Sequence, residues 1–262
     1  MEFRVDYHMH PNLPRNDARA YKRAKRYWSV LQQLSINVIM VTEHVYKHPQ
    51  RAYAVMNQTK PRNCFVFPGM EYLTKEGVDI LLYAKDESLY TYPELKPKNL
   101  TCEELIAFAN THALVAIIAH PRILGTTSYI NTKGYDAYTK DANKFAGVEI
   151  ANEVFSGIPF ASKLLQFLFP LQIKKMQQTM HLPRSDYPKH PQLLTAGSDA
   201  HHSWGLGTYV LIRTSKEKLY QTVLANKSPQ VVGKQRTPFH LGHFIRESCT
   251  VFHEYLLKKR FS

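Results

Sequence analysis

Residues 5–10 read Val-Asp-Tyr-His-Met-His, and six further short apolar runs along the chain also carry or close on a His, Asp or Glu. Residues 36–44 end on Glu43 and His44, 64–71 on Glu71, 113–120 on His120, and 193–201 on Asp199 and His201. Residues 78–83 carry Asp79 near their start, and 147–152 enclose Glu149. Short runs of this kind, separated by helical patterns, predict a parallel sheet with both faces covered. In such sheets ligands sit beyond the carboxyl ends of the strands, where most of these polar residues fall. Side chains alternate along a strand, so His8 and His10 face one way and Met9 the other, and Asp199 and His201 share parity in the same manner. Two neighbouring imidazoles can hold one metal ion. A lone His-x-His pair carries little weight in a chain with 13 histidines, but convergence of all these strand ends would build a site.

The series His8-x-His10, Thr42-Glu43-His44, Gly69-Met70-Glu71, Ala119-His120-Pro121 and Gly197-Ser198-Asp199-Ala200-His201 resembles the PHP family, the polymerase and histidinol phosphatase domain. The resemblance runs in order from residue 6 to 202. It implies a distorted (β/α)7 barrel, a cluster of two or three divalent metal ions (Mn, Zn or Fe), and hydrolysis of phosphoesters by metal-activated water. Carried onto this chain, it implies His8, His10, Glu71 and Asp199 around one ion, Glu71 and His120 with Asp79 around a second, and His44 and His201 with Asp17 around a third. Asp199, His201 and Arg122 would serve catalysis, with Arg122 and Arg15 anchoring the substrate phosphate through their planar guanidinium groups.

The chain departs from the family at two places. Glu43 stands where the family has Asp; it should face away from His44 and orient a ligand from behind. Asp79 stands nearest to a position often held by His, and as a ligand it would favour Mn or Fe over Zn. Its other reading is a strand-start acid beside the Lys75-Glu76-Gly77 turn. Asp17 fits equally as a ligand or as an N-cap. Glu149 resembles the family's acidic position on its strand, or pairs with a barrel Arg or Lys. His48, His112 and His202 are expected outside the site.

A length of 262 residues suits one barrel-sized domain. The expected division is a barrel over 1–226, including a helical excursion at 155–192, followed by a basic helical segment over 227–262 packed on it. The apolar patch at 164–171 is too short and too interrupted to span a bilayer, and the chain opens directly on a strand. Three scattered cysteines make neither a disulfide framework nor a Cys-based metal site. Together these features suggest a reduced, cytoplasmic enzyme.

The formal net charge is +13. Arg15, Arg19, Lys22, Arg23, Lys25 and Arg26 follow the His-x-His strand, and a second basic region lies between Lys227 and Arg260. Such surfaces attract polyanions, so the expected partner is a phosphorylated substrate, with single-stranded nucleic acid included. Solvated helix faces give the same pattern. Two other functions remain open on sequence: an amidohydrolase-type C–N hydrolase or deaminase, and a catalytically silent PHP-like binding module. The first lacks a strand-end Lys for a carbamylated metal bridge. Oligomeric state is not readable.

Periodicity predicts helices over 18–34 and about 50–57, and a capping box at Thr101 and Glu104 opens a third that ends near His112. Residues 124–140 read as a substrate-side lid. A last strand is expected at 209–212, with Ser215 capping the helix after it.

Overall fold

Strand β1 (Glu2–Met9) lies between β2 (Val38–Val41), which runs parallel to it, and β8 (Val210–Arg213), which runs antiparallel. The computed structural model describes residues 1–123, 127–152, 181–188, 193–226 and 230–231. From β2 the sheet continues through β3 (Phe65–Leu73), β4 (Asp79–Tyr83), β5 (Val115–Ile118), β6 (Gly147–Asn152) and β7 (Leu193–Gly197). β9 (Gln230–Val231) extends it beyond β8.

β8 pairs with the amino-terminal half of β1, whereas the carboxyl end of β1 meets the chain that follows β7. There Asp199 N donates to His8 O at 2.7 Å, and His10 N donates to Ala200 O at 3.1 Å. This curls the sheet into a distorted, nearly closed α/β barrel. Its interior is filled by Val5, Tyr7, Met40, Leu81, Tyr83, Ile117 and Ala196, all buried.

The sheet is not wholly parallel. β4 runs antiparallel to both β3 and β5. Only residues 74–78 join β3 to β4, with Gly77 at φ 83° in the turn, far too few for the crossover that a parallel neighbour requires.

Helix α1 (Asp17–Gln33) buries Ala20, Ala24, Tyr27, Trp28 and Leu31 at helical spacing and packs with α2 (Pro49–Thr59) over Met9, Ile39 and Val41. Trp28 Nε1 donates to Met56 O at 3.1 Å, tying the two helices together. α3 (Cys102–Thr111) opens on the expected capping box of Thr101 and Glu104, and His112 forms its C-cap.

Residues 127–140 are largely helical. α4 (Tyr129–Lys133) and α5 (Tyr135–Asp141) bury Tyr129 and Tyr138, whose rings meet edge to face at 6.2 Å. Two large aromatic side chains anchored in this way make the segment part of the packed wall and not a polar lid. α6 (Leu219–Leu224) begins four residues after Ser215 without a side-chain cap, so the expected capping by Ser215 does not occur. The expected helices within 155–180 and 232–262 lie outside the described residues. Among the described residues, no helix is long and apolar enough to cross a membrane.

Candidate metal centre

The barrel brings the polar strand ends together. His8 and His10 come from the end of β1, His44 from just after β2, Glu71 from β3, His120 from just after β5, and Asp199 and His201 from the segment after β7. Because β4 runs the other way, its first residue, Asp79, lies at this same end. Asp79 thus reaches the cluster from the start of its strand, a position that a parallel β4 would have put at the opposite end. All eight side chains are buried.

One group of donors is closely spaced. His8 Nε2 and His10 Nε2 are 2.9 Å apart, Asp199 Oδ1 lies 3.6 and 3.1 Å from them, and the oxygens of Glu71 lie 3.7 Å from each. Donors held at about 2.0–2.2 Å in a tetrahedron around one ion lie about 3.3–3.6 Å apart. The spacing therefore suits a single cation. Glu71 also reaches His120, with Nε2 to Oε1 at 2.9 Å, and contacts His44 Nδ1 through its other oxygen. Asp79 Oδ2 is 3.8 Å from His120 Nε2. The rings of His44 and His201 lie 4.3 and 4.5 Å from that of His10. Three sets of candidate ligands result: His8, His10 and Glu71; Glu71, Asp79 and His120; and His10, His44 and His201.

Acids lie behind two of the ligands. Glu149 accepts from His8 Nδ1 at 3.1 and 3.3 Å and from the backbone N of His120 at 2.8 Å, leaving Nε2 of His8 as the lone-pair donor facing the cluster. Glu43 Oε1 stands 3.5 Å from His10 Nδ1. His201 Nδ1 is satisfied by Asp199 O at 3.0 Å, which directs its Nε2 away from the backbone. Asn152 Nδ2 donates to Glu149 Oε2 and Asp199 Oδ2, both at 3.1 Å, and links the two acids.

The cluster carries a strongly negative field. Burial alone would lower the pKa of His8, yet Asp199, Glu149 and Glu71 outweigh it and raise it. His10 is raised well above the ordinary imidazole range against its burial by Asp199, Glu43 and Glu71. His120 is likewise pushed up to about 9, chiefly by Glu71. Conversely, burial pushes Asp199 upward but His8 and His10 pull it far below the usual carboxylate range. Imidazole nitrogens and carboxylate oxygens, buried and mutually crowded in this way, fit a site for divalent cations.

Backbone conformation contributes as well. Asp199 has φ 48° and His120 φ 25°, left-handed values that are costly for residues other than glycine and that cluster at functional sites. Asp199 and His201 therefore share a direction because the chain turns at Asp199; β7 has already ended at Gly197.

Three further residues expected at the site on sequence are not among these ligand sets. Asp17 opens α1 with its side chain 80% exposed and pairs with Arg51 at 2.9 Å, while the N-cap is Asn16, which accepts from Arg19 N at 3.1 Å. The cap thus falls one residue before the expected Asp17, which is the first residue of α1. Arg122 is held by Asp186 at 3.3 Å. Arg15 lies exposed on the loop before α1. His202, as expected, stays out of the cluster and contacts Arg23 at 3.3 Å.

Asp6 was not singled out by sequence. It accepts from His8 N at 3.1 Å, Ser198 N at 3.0 Å and Ser198 Oγ at 2.5 Å, strapping β1 to the Asp199 turn. Burial pushes it up to about 7 despite those hydrogen bonds. Its parity with His8 was the available signal.

Glu149→Gln should lower metal affinity or turnover by about 10–100-fold, the usual effect of removing a carboxylate behind a ligand histidine. Metal titration of the variant checks it, and wild-type affinity would rule out the orienting role.

No family model and no curated protein sequence matches the chain. Solved structures do. PsfC from Pseudomonas syringae PB-5123 superposes with a TM-score of 0.54 at 15% identity, over 100% of this chain and 99% of that one. The lesion-specific endonuclease PfuEndoQ from Pyrococcus furiosus gives 0.53 at 16% identity, over 95% of this chain and 66% of that one. Endonuclease Q in complex with a 27-mer duplex bearing an abasic lesion at the active site gives 0.53 at 14% identity, over 95% and 67%. At these identities the likeness is one of fold.

Proposed function

We propose that this chain is a metal-dependent phosphoesterase whose preferred substrate is a nucleic-acid phosphodiester. The observation that carries the reading is the convergence of His8, His10, His44, Glu71, Asp79, His120, Asp199 and His201 at one end of the barrel, with Glu149 and Glu43 behind them. Glu71 has two oxygens directed at different histidines, so it is the residue suited to serve two ions at once. Divalent ions held here would polarise a phosphoryl oxygen and lower the pKa of a nucleophilic water. The chain's own residues supply buried donors, exclude bulk water from the cluster, and hold the imidazoles of His8 and His201 with Nδ1 already engaged. The choice of a nucleic-acid substrate draws support from the exposed cations of α1, Arg19, Lys22, Lys25 and Arg26, and from the fold shared with a DNA endonuclease.

The test is hydrolysis by manganese-reconstituted protein of a matched pair, a single-stranded oligonucleotide and a small phosphomonoester, with a chelator control. Chelator-sensitive cleavage of the oligonucleotide is expected. Phosphate release from the monoester alone would transfer the site to a metabolite phosphatase, and a metal-loaded protein that touches neither substrate would overturn the reading.

A further inference from the structure

Beside the metal centre, on the outer side of the barrel rim, lies an open groove of about 500 Å³. Val45, next to His44, and Met70, next to Glu71, form part of its floor. Adjacent strand residues point to opposite faces, so Met70 looks into the groove while Glu71 looks into the cluster, and one thickness of barrel wall separates the two. Arg15, Lys47, His48 and Arg51 are among the residues that line the groove. His48 adopts φ 56°, a left-handed turn that leads the chain from Lys47 into α2. Tyr90 and Tyr92 line the groove together with Leu13, Leu89 and Leu95. Asp17 offsets part of the charge by pairing with Arg51, whereas the Arg15 side chain is exposed.

Cations together with aromatic and aliphatic surface in one groove match the two halves of a nucleotide, a phosphate and a base. The volume falls within the range of about 300–1,000 Å³ typical of small-ligand sites. From these features we infer that the groove binds the nucleotide flanking the scissile phosphodiester, its phosphate facing Arg15 and Lys47 and its base against Tyr90 and Tyr92. This rests on the phosphodiesterase reading for the position of the scissile bond. A wall between groove and cluster means that a ligand occupying both must cross the rim, so the substrate is a chain of at least two nucleotides.

The experiment measures binding without turnover. Fluorescence anisotropy of a dye-labelled five-nucleotide oligothymidylate is recorded with chelator present for the wild type, for Arg15→Glu/Lys47→Glu, and for Lys216→Glu/Lys218→Glu. The last pair makes the same charge change on exposed residues after β8, at the opposite end of the barrel from the cluster. The groove variant is expected to bind about tenfold or more weakly, with the slope of log K against log salt reduced by about 0.7, for the one phosphate facing the groove cations. The control should change far less. Equal losses in both variants, or no loss in the groove variant, overturn the inference. A free thymidine monophosphate competitor separates a mononucleotide site from a polymer track: competition at the oligonucleotide's own affinity would overturn the requirement for a chain. Groove-dependent binding by a protein that hydrolyses neither substrate under metal would leave the groove standing and remove the phosphoesterase reading, so the two fail separately.

Discussion

Asp199→Asn should reduce turnover by about a thousandfold or more while leaving the barrel folded. Removing a carboxylate one shell behind a metal typically costs about 10–100-fold, and Asp199 stands closer, with Oδ1 at 3.1 Å from His10 Nε2 and 3.6 Å from His8 Nε2. A thousandfold loss corresponds to about 4 kcal/mol of transition-state stabilisation. Asparagine has the same shape, and its amide can keep a polar contact where Asn152 Nδ2 now donates to Asp199 Oδ2. The backbone bond from residue 199 N to His8 O does not depend on the side chain. Far-UV circular dichroism should therefore match the wild type, and metal analysis should show at least one ion lost or weakened. Near wild-type turnover in a metal-replete variant would reject Asp199 as part of the reacting centre.

Gly197→Ala should damage both fold and site. A Cβ at residue 197 would lie 2.2 Å from His8 Cβ, 2.7 Å from His8 N and 2.9 Å from Glu149 Oε1. No rotamer change relieves a clash with backbone, so β7 must move away from β1, or His8 must leave its place between Glu149 and the cluster. Overpacking of this kind costs about 1–3 kcal/mol, which for a chain of this size lowers Tm by roughly 2–12 °C. The same displacement should weaken metal binding, because His8 carries both the Glu149 contact and a cluster nitrogen. Thermal melts with and without chelator check the two effects. A variant that melts and binds metal like the wild type would show that the close approach of β7 to His8 has no structural consequence.

The glycine before Asp199 was visible in the sequence as part of Gly-Ser-Asp-Ala-His, but its reason was not. Sequence showed a glycine in a motif; the structure shows the His8 side chain and backbone occupying the space a Cβ would need. The barrel was an expectation carried by the resemblance alone, whereas short apolar runs interrupted by helical stripes made an α/β sheet with covered faces readable. Helix α1 was readable for the same reason, since its buried positions recur at helical spacing. The orienting place of Glu43 was legible from strand alternation, which turns it from His44 and toward His10 Nδ1.

What sequence by itself determined is the stock of donors and their placement near strand ends: the His8 and His10 pair, Glu71, His120, and Asp199 with His201. Only the tertiary structure decided which of the uncertain residues join them. Alternation reads the same in both directions along a strand, so nothing local in residues 78–83 says that β4 runs backward and delivers Asp79 to the cluster. Helix phase and loop path, not residue type, leave Asp17 exposed against Arg51, and a partner 64 residues away along the chain holds Arg122. Glu149 became a support for His8 and His120 through contacts across 141 and 29 residues. Such pairings depend on how the sheet closes, and closure is a property of the whole chain.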